Sequence, residues 1–245
     1  MWLLLDLGNT RLKWAFASAD GALSTMRALV HSNNPSCWGA LLADLADRNV
    51  EQIALSSVAG ARAQTLRDVL RGLYPKLAIL EAQSVKFCAG VTNGYDAYET
   101  LGVDRFLALL GAYKMDAGTQ MIAMLGTAMT IDVLHPGGKH AGGLIAPGPS
   151  LMQTSLHRGT ANLPLVSGHA HVIAQNTADA IYSGCHQACA ALIQSVLQEF
   201  SGAQLIVSGG AAPAIVPLLS CPVLRVPDLV LQGLLRFCFA AEPGH

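Results

Sequence analysis

One pattern is written twice in this chain, and it constrains the fold more than any other feature. Trp2 to Leu5 is a continuous apolar run. Asp6-Leu7-Gly8-Asn9-Thr10 follows as a polar turn, and Arg11 to Ala17 then alternates, with Leu12, Trp14 and Phe16 on one face. The second copy has an apolar run at Met121 to Leu125, a small-residue turn at Gly126-Thr127-Ala128, and a second strand at Met129 to Leu134 that contains Asp132. Continuous apolar runs read as buried strands and alternation as half-buried ones, so each copy is an expected hairpin. After the first copy the spacing predicts a helix over 36–46, a strand over 53–58, a helix over 61–73, a strand over 77–80 and a helix over 104–115. After the second it predicts a strand over 141–146, a long helix over 177–200, a strand over 205–207 and a helix over 229–240. The layout is that of an α/β protein built from two similar halves, expected at 1–117 and 118–245.

Composition narrows the class. The 245 residues are 52% hydrophobic and only 13% charged, with a formal net charge of −1. Disorder needs the opposite balance, and nucleic-acid binding needs a basic face. So sparse a charge also suggests that a second copy covers part of the surface, as in most soluble oligomers. No run approaches the roughly 20 apolar residues of a membrane span, and the start lacks the basic and apolar regions of a signal peptide. Cys37, Cys88, Cys185, Cys189, Cys221 and Cys238 form no paired framework, so reduced thiols in the cytoplasm are expected. Cys185 and Cys189 at helical spacing read as small core residues. The histidines at 135, 140, 169 and 171 read as loop residues, and His157-Arg158 as a solvated pair.

Four segments carry chemistry. In Asp6-x-Gly8-Asn9-Thr10-x-x-Lys13, glycine admits an anion close to the backbone. Amides and a hydroxyl donate to phosphate oxygens, and Lys13 adds a cation. Asp6, at the end of a buried strand, needs a partner such as hydrated Mg²⁺. Gly126 to Asp132 repeats glycine, hydroxyl and carboxylate. Ser208-Gly209-Gly210 follows a strand and can admit a flat adenine or ribose. In Gly102-Val103-Asp104-Arg105 the carboxylate sits at a helix start, where the dipole keeps it ionised and able to accept a proton. Alone, each segment also fits an ordinary turn or cap. Their order, two phosphate loops and then an adenosine loop, resembles the actin–hexokinase–Hsp70 superfamily, in which nucleotide lies between two halves.

With the longer segments DLGNTRLKW (6–14), NGYDAYETLGVDR (93–105), GTAMTID (126–132), GGLIAPG (142–148), TANLP (160–164) and NTADAIYSG (176–184), the sequence resembles the type III pantothenate kinases. The resemblance implies ATP- and Mg²⁺-dependent phosphorylation of pantothenate on its primary hydroxyl, which opens coenzyme A synthesis, by a cytoplasmic homodimer. It implies Asp104 as general base, and Asp6, Leu7, Gly8, Asn9, Thr10, Arg11, Leu12, Lys13 and Thr127 as the ATP site. Tyr95, Gly102, Val103, Asp104, Arg105 and Thr177 become the pantothenate site, with Asp6 and Asp132 reaching Mg²⁺ through water. It also implies a K⁺ or NH₄⁺ ion held by an aspartate two residues before Gly126. Here that position is Met124, whose thioether is a poor ligand for a hard cation. The readings that compete are a related small-molecule kinase of the same superfamily and a non-catalytic, nucleotide-dependent regulatory protein.

Overall fold

The structure is a computed structural model that describes residues 1–32, 35–46, 48–113, 118–165 and 167–241. It divides into two compact units: Met1–Asp116 with Gly137–His140 and Asp228–His245, and Ala117–Pro136 with Ala141–Pro227. The expected boundary at 117 and the expected end of a helix at Met115 lie outside the described residues.

The first unit contains β1 (Trp2–Leu7), β2 (Arg11–Ala17), β3 (Arg27–Val30), α1 (Gly39–Leu45), β4 (Gln52–Ser57), α2 (Ala61–Leu73), β5 (Ile79–Glu81), the two-residue strands β6 (Phe87–Cys88) and β7 (Val91–Thr92), and α3 (Val103–Tyr113). Its sheet runs β3-β2-β1-β4-β5. β1 pairs antiparallel with β2 and parallel with β4. Leu3, Leu5 and Leu7 pack with Leu41, Leu45, Leu66 and Leu70 of α1 and α2. Leu4 on the opposite face is also fully buried. A strand covered on both sides reads as a continuous apolar run rather than an alternation.

The second unit contains β8 (Gln120–Leu125), β9 (Ala128–His135), most of β10 (Lys139–Pro147), α4 (Pro149–Gly159), α5 (Thr177–Glu199), β11 (Gln204–Ser208), α6 (Ala212–Ile215) and β12 (Val223–Arg225). The order β12-β11-β8-β9-β10 repeats that of the first sheet. A central strand has its hairpin partner on one side and two parallel strands on the other. The duplication written in the sequence is therefore a duplication of topology. Cys189, Ala190 and Ile193 of α5 cover the face formed by Met121, Ala123, Leu125 and Ile131. Burial pushes the Cys189 thiol up to about 11, so Cys185 and Cys189 are the inert core residues expected.

The last helix, α7 (Leu229–Ala241), belongs to the first unit, where it packs on α3 and against β1 and β4. Its contact with α3 is backbone on backbone. A Cβ on Gly233 would lie 1.8 Å from the Leu107 carbonyl oxygen, and one on Gly111 would lie 2.4 Å from that of Leu229.

Sequence and structure differ at several ends. β1 continues through Asp6 and Leu7, because the hairpin pairs Asp6 with Lys13 and Leu7 with Leu12. β3, α4 and β12 were not expected. β3 is a mostly exposed edge strand with no apolar alternation to announce it.

Candidate active site

In the first unit the functional side chains gather around the carboxyl end of β1. Asp6 is flanked in register by Lys13 of β2 and Ser56 of β4. Its carboxylate is buried, with Lys13 Nζ at 3.5 Å. Burial raises its pKa most; the Lys13 cation opposes this, and the nearby Asp104 charge adds to it. The Ser56 hydroxyl is fully buried with no hydrogen-bond partner. A crowded carboxylate beside an orphaned hydroxyl is a donor set that fits a hydrated divalent cation, which keeps several waters and takes one or two carboxylates. Among the described residues no group of three or more His, Cys, Asp or Glu forms a metal cage.

The turn after β1 is closed by Gly8 N–H donating to the Arg11 carbonyl at 3.0 Å. Two residues that the sequence reading did not single out hold its outer carbonyls. Buried His31 donates from Nε2 to Gly8 O at 2.8 Å, and Arg62 of α2 donates to Asn9 O at 2.6 Å. With their oxygens drawn toward these donors, the peptide groups of the turn are fixed in orientation. Asn9, Thr10 and Arg11 are exposed at its tip.

Asp104 and Arg105 begin α3. Asp104 Oδ1 accepts the Arg105 backbone N–H at 2.9 Å, and a Cβ on Gly102 would lie 2.8 Å from that same oxygen. Glycine at 102 leaves room for the carboxylate. Arg105 is not solvated; it is 4% exposed. Its Nη1 donates to the Tyr95 hydroxyl at 2.8 Å, and its guanidinium carbon lies 5.4 Å from the centre of the Tyr95 ring. The segment before α3 is braced internally: Asn93 Oδ1 accepts from Tyr95 N at 3.0 Å, and Asn93 Nδ2 donates to Tyr98 O at 3.1 Å. His140, expected in a loop, is buried at the start of β10.

In the second unit two loops meet at the end of β8. Gly126 N donates to Ala128 O at 3.0 Å, and Gly148 N to Thr127 O at 2.9 Å. Ala211 N donates to Leu125 O at 3.0 Å. Gly209, at φ +103°, lies where a Cβ would come within 2.3 Å of Leu125 O. Thr127 is exposed in the first of these loops. Asp132 is buried on β9, two positions from Thr130, whose hydroxyl has no hydrogen-bond partner. Half-buried Met124 pairs with Thr130 across the hairpin. A thioether and a neutral hydroxyl do not make the hard oxygen cage of a potassium ion, so this position does not fit that cofactor.

Thr177 opens α5 and is exposed. The helix is capped by Asn176, whose side chain accepts from Asp179 N. Asp179 also receives His169 N and faces the imidazoles of His169 and His171 at 3.6 and 3.3 Å. Their shared acidic partner lies ten and eight residues away in sequence. His157 is tied to the Leu163 carbonyl at 2.8 Å rather than solvated. Thr177 borders a shallow, open hollow of about 600 Å³ in this unit, with Leu156, Leu163, Asn176 and Ile181 along it.

Residues 2–199 match the sequence pattern of the type III pantothenate kinase family. The chain belongs to that family. The type III pantothenate kinase of Aromatoleum aromaticum is 37% identical over 238 residues, covering 96% of each chain. That of Burkholderia mallei is 37% identical over 262 residues, covering 98% of this chain and all of the relative. Among solved structures, the activator of 2-hydroxyisocaproyl-CoA dehydratase from Clostridium difficile, with bound ADPNP, superimposes with a TM-score of 0.54 at 12% identity. It covers 97% of this chain and 93% of its own. An ethanolamine utilization protein from Carboxydothermus hydrogenoformans gives 0.56 at 13%, covering 96% and 89%. The fold is the mixed α/β, two-sheet fold of the actin–hexokinase–Hsp70 superfamily. Kinase membership carries ATP use with it. No helix among the described residues is long and apolar enough to cross a membrane.

Proposed function

We propose that this chain transfers the γ-phosphoryl group of ATP to the primary hydroxyl of pantothenate, with Asp104 as the general base. The observation that carries the reading is the pairing of Asp6 with Lys13 at one end of the first sheet, within electrostatic reach of Asp104, the neighbour of buried Arg105. Phosphoryl transfer has a loose transition state, so the protein contributes mainly position and charge. The amides and hydroxyl of the turn at Gly8–Thr10, with Lys13, hold phosphate oxygens. In the second unit, Thr127 and the loop at Ser208–Gly210 are the ATP-binding residues. Mg²⁺ supplies neutralisation of the phosphate charge when bound, and Asp6 is the first unit's carboxylate that would hold it through water.

At the acceptor end, Arg105 and Tyr95 bind the pantothenate carboxylate, while Gly102 and Val103 border the molecule. Asp104 receives the proton of the attacking hydroxyl. The Arg105 amide, donating to Oδ1, holds the carboxylate in place at the helix start. We place the protein in the cytoplasm, as a homodimer. Leu144, Ile145, Leu151 and Leu156, along β10 and α4, are exposed apolar residues that a second copy would cover.

An acceptor panel with coupled detection of ADP tests the reading. Wild type is expected to turn over with pantothenate and not with simple sugars. Asp104→Asn is expected to bind both substrates while losing about 10²–10⁴-fold in turnover. Equal turnover with unrelated alcohols would favour a broader kinase. Pantothenate binding with no phosphate transfer would favour the regulatory reading.

A further inference from the structure

The chain makes a short excursion that neither the fold nor the reading above accounts for. Gly137–His140 belongs to the first unit although the residues on both sides of it belong to the second. The excursion is anchored with care. Gly137 and Gly138 have φ of +75° and +77°. A Cβ on Gly138 would lie 2.0 Å from the Gly90 carbonyl oxygen, so only glycine can sit there. Lys139 then pairs parallel with Thr92 of β7. The one side chain delivered into the interior is that of His140, which is 1% exposed.

His140 meets the acceptor segment in two ways. Its Nδ1 faces the Gly94 N–H at 3.4 Å, and because a backbone amide can only donate, Nδ1 is the acceptor. Its ring stacks on that of Tyr95, with centroids 5.9 Å apart and planes 14° from parallel. The opposite end of Tyr95 carries Arg105, whose Nη1 donates to the phenolic oxygen at 2.8 Å. Tyr95 therefore accepts from Arg105 and keeps its own proton for another acceptor. A phenolic O–H beside a guanidinium is a donor pair suited to a carboxylate.

We infer that His140 is a positioning residue that fixes acceptor specificity: through Gly94 and the Tyr95 ring it holds Tyr95 and Arg105 in the geometry that recognises a carboxylate on the acceptor. The inference rests on the reading of Arg105 as the carboxylate-binding residue. It differs from a stability role because it concerns discrimination between two ligands of one shape. Pantothenol carries a hydroxymethyl group in place of the carboxylate of pantothenate and is otherwise the same molecule. A loosened Arg105 loses pantothenate and leaves pantothenol almost untouched.

The experiment measures kcat/KM for both acceptors, and KM for ATP, in wild type, His140→Ala and His140→Phe. The Phe variant retains a stacking ring and comparable volume while removing the acceptor for Gly94, so it remains informative if the Ala variant fails to fold. In wild type, pantothenate is expected to be preferred over pantothenol. In His140→Ala that preference is expected to shrink by about tenfold, through a raised KM for pantothenate with an unchanged KM for ATP. His140→Phe is expected to fall between the two. A preference retained in both variants overturns the inference about His140, as does a parallel rise in the KM of ATP and of pantothenate. A wild type that does not prefer pantothenate instead overturns the assignment of Arg105 on which it rests.

Discussion

Replacing Gly233 by alanine tests whether the α3–α7 contact sets the position of the helix that begins at Val103-Asp104-Arg105. In an exposed helix this substitution stabilises by about 1 kcal/mol, because alanine loses less backbone entropy. Here the new Cβ would lie 1.8 Å from Leu107 O and 2.6 Å from the carbonyl carbon. A carbon–oxygen contact needs about 3.3 Å, so α7 must retreat from α3 by roughly 1.5 Å. Both colliding atoms belong to backbone, and no rotamer change relieves them. Overpacking of this kind costs about 1–3 kcal/mol. Taking the upper end and subtracting the propensity gain leaves a net loss of about 2 kcal/mol. For a chain of this size that lowers the unfolding midpoint by about 4–8 °C. The retreat also shifts the helix whose first turn carries Asp104 and Arg105, so turnover falls with stability. The assay is thermal unfolding followed by circular dichroism, with Gly72→Ala in α2 as the control. A Cβ on Gly72 meets nothing within 4 Å, so that variant should melt at or slightly above wild type. If Gly233→Ala melts no lower than Gly72→Ala, the close-packing argument is wrong.

Three further outcomes are expected. His31→Ala removes the donor to Gly8 O and should raise the KM for ATP about tenfold with little change for pantothenate; an unchanged KM for ATP would separate His31 from the phosphate loop. Asp6 is held above the ordinary carboxylate range by burial, so the native state binds its proton more tightly than the unfolded chain, and the ionised form costs stability as pH rises through the native value. Asp6→Asn should therefore melt higher than wild type at neutral pH without ligand and converge with it at acid pH below the unfolded carboxylate value, while losing stabilisation by Mg²⁺ and ATP; a variant that melts lower at neutral pH would show that Lys13 outweighs burial. With Met124 in the usual aspartate position, initial rates at fixed ionic strength should show no saturable rise when potassium replaces sodium, and Met124→Asp should gain one; strong activation of wild type would mean that other oxygens complete the cage.

The parts of this molecule legible in the sequence are those encoded by neighbours along the chain. The two hairpins announced themselves because a buried strand, a glycine turn and an alternating strand are each local patterns. Helix α2 was expected over the residues it occupies, since Leu66, Val69, Leu70 and Leu73 recur at helical spacing. Strand β3 and helix α4 carry weaker patterns: one is exposed along most of its length, and the other buries only Pro149. The motif residues of the site were visible as types in order. Their supports were not. His31, Arg62 and His140 act on backbone groups 23, 53 and 46 residues away, and a lone histidine or arginine gives no local sign of which distant carbonyl or amide it will meet. The burial of Arg105 was equally hidden, because its cover comes from Tyr95 and from elements beyond its own turn.

Helix α7 has a consequence for how the chain is made. The first sheet is built from residues 2–81, yet the helix lying against β1, β4 and α3 is drawn from residues 229–241. During synthesis the second unit has all its strands and helices before this one appears, while the first waits with an apolar sheet face uncovered. Leu229, Val230, Leu231, Leu234 and Leu235 are buried only once the last helix docks. The first unit's sheet is thus left partly uncovered until residues 229–241 have been made. A nascent chain stalled or cut short before residue 229 exposes a sheet rather than merely missing a tail, and such products are natural clients for chaperones and proteases.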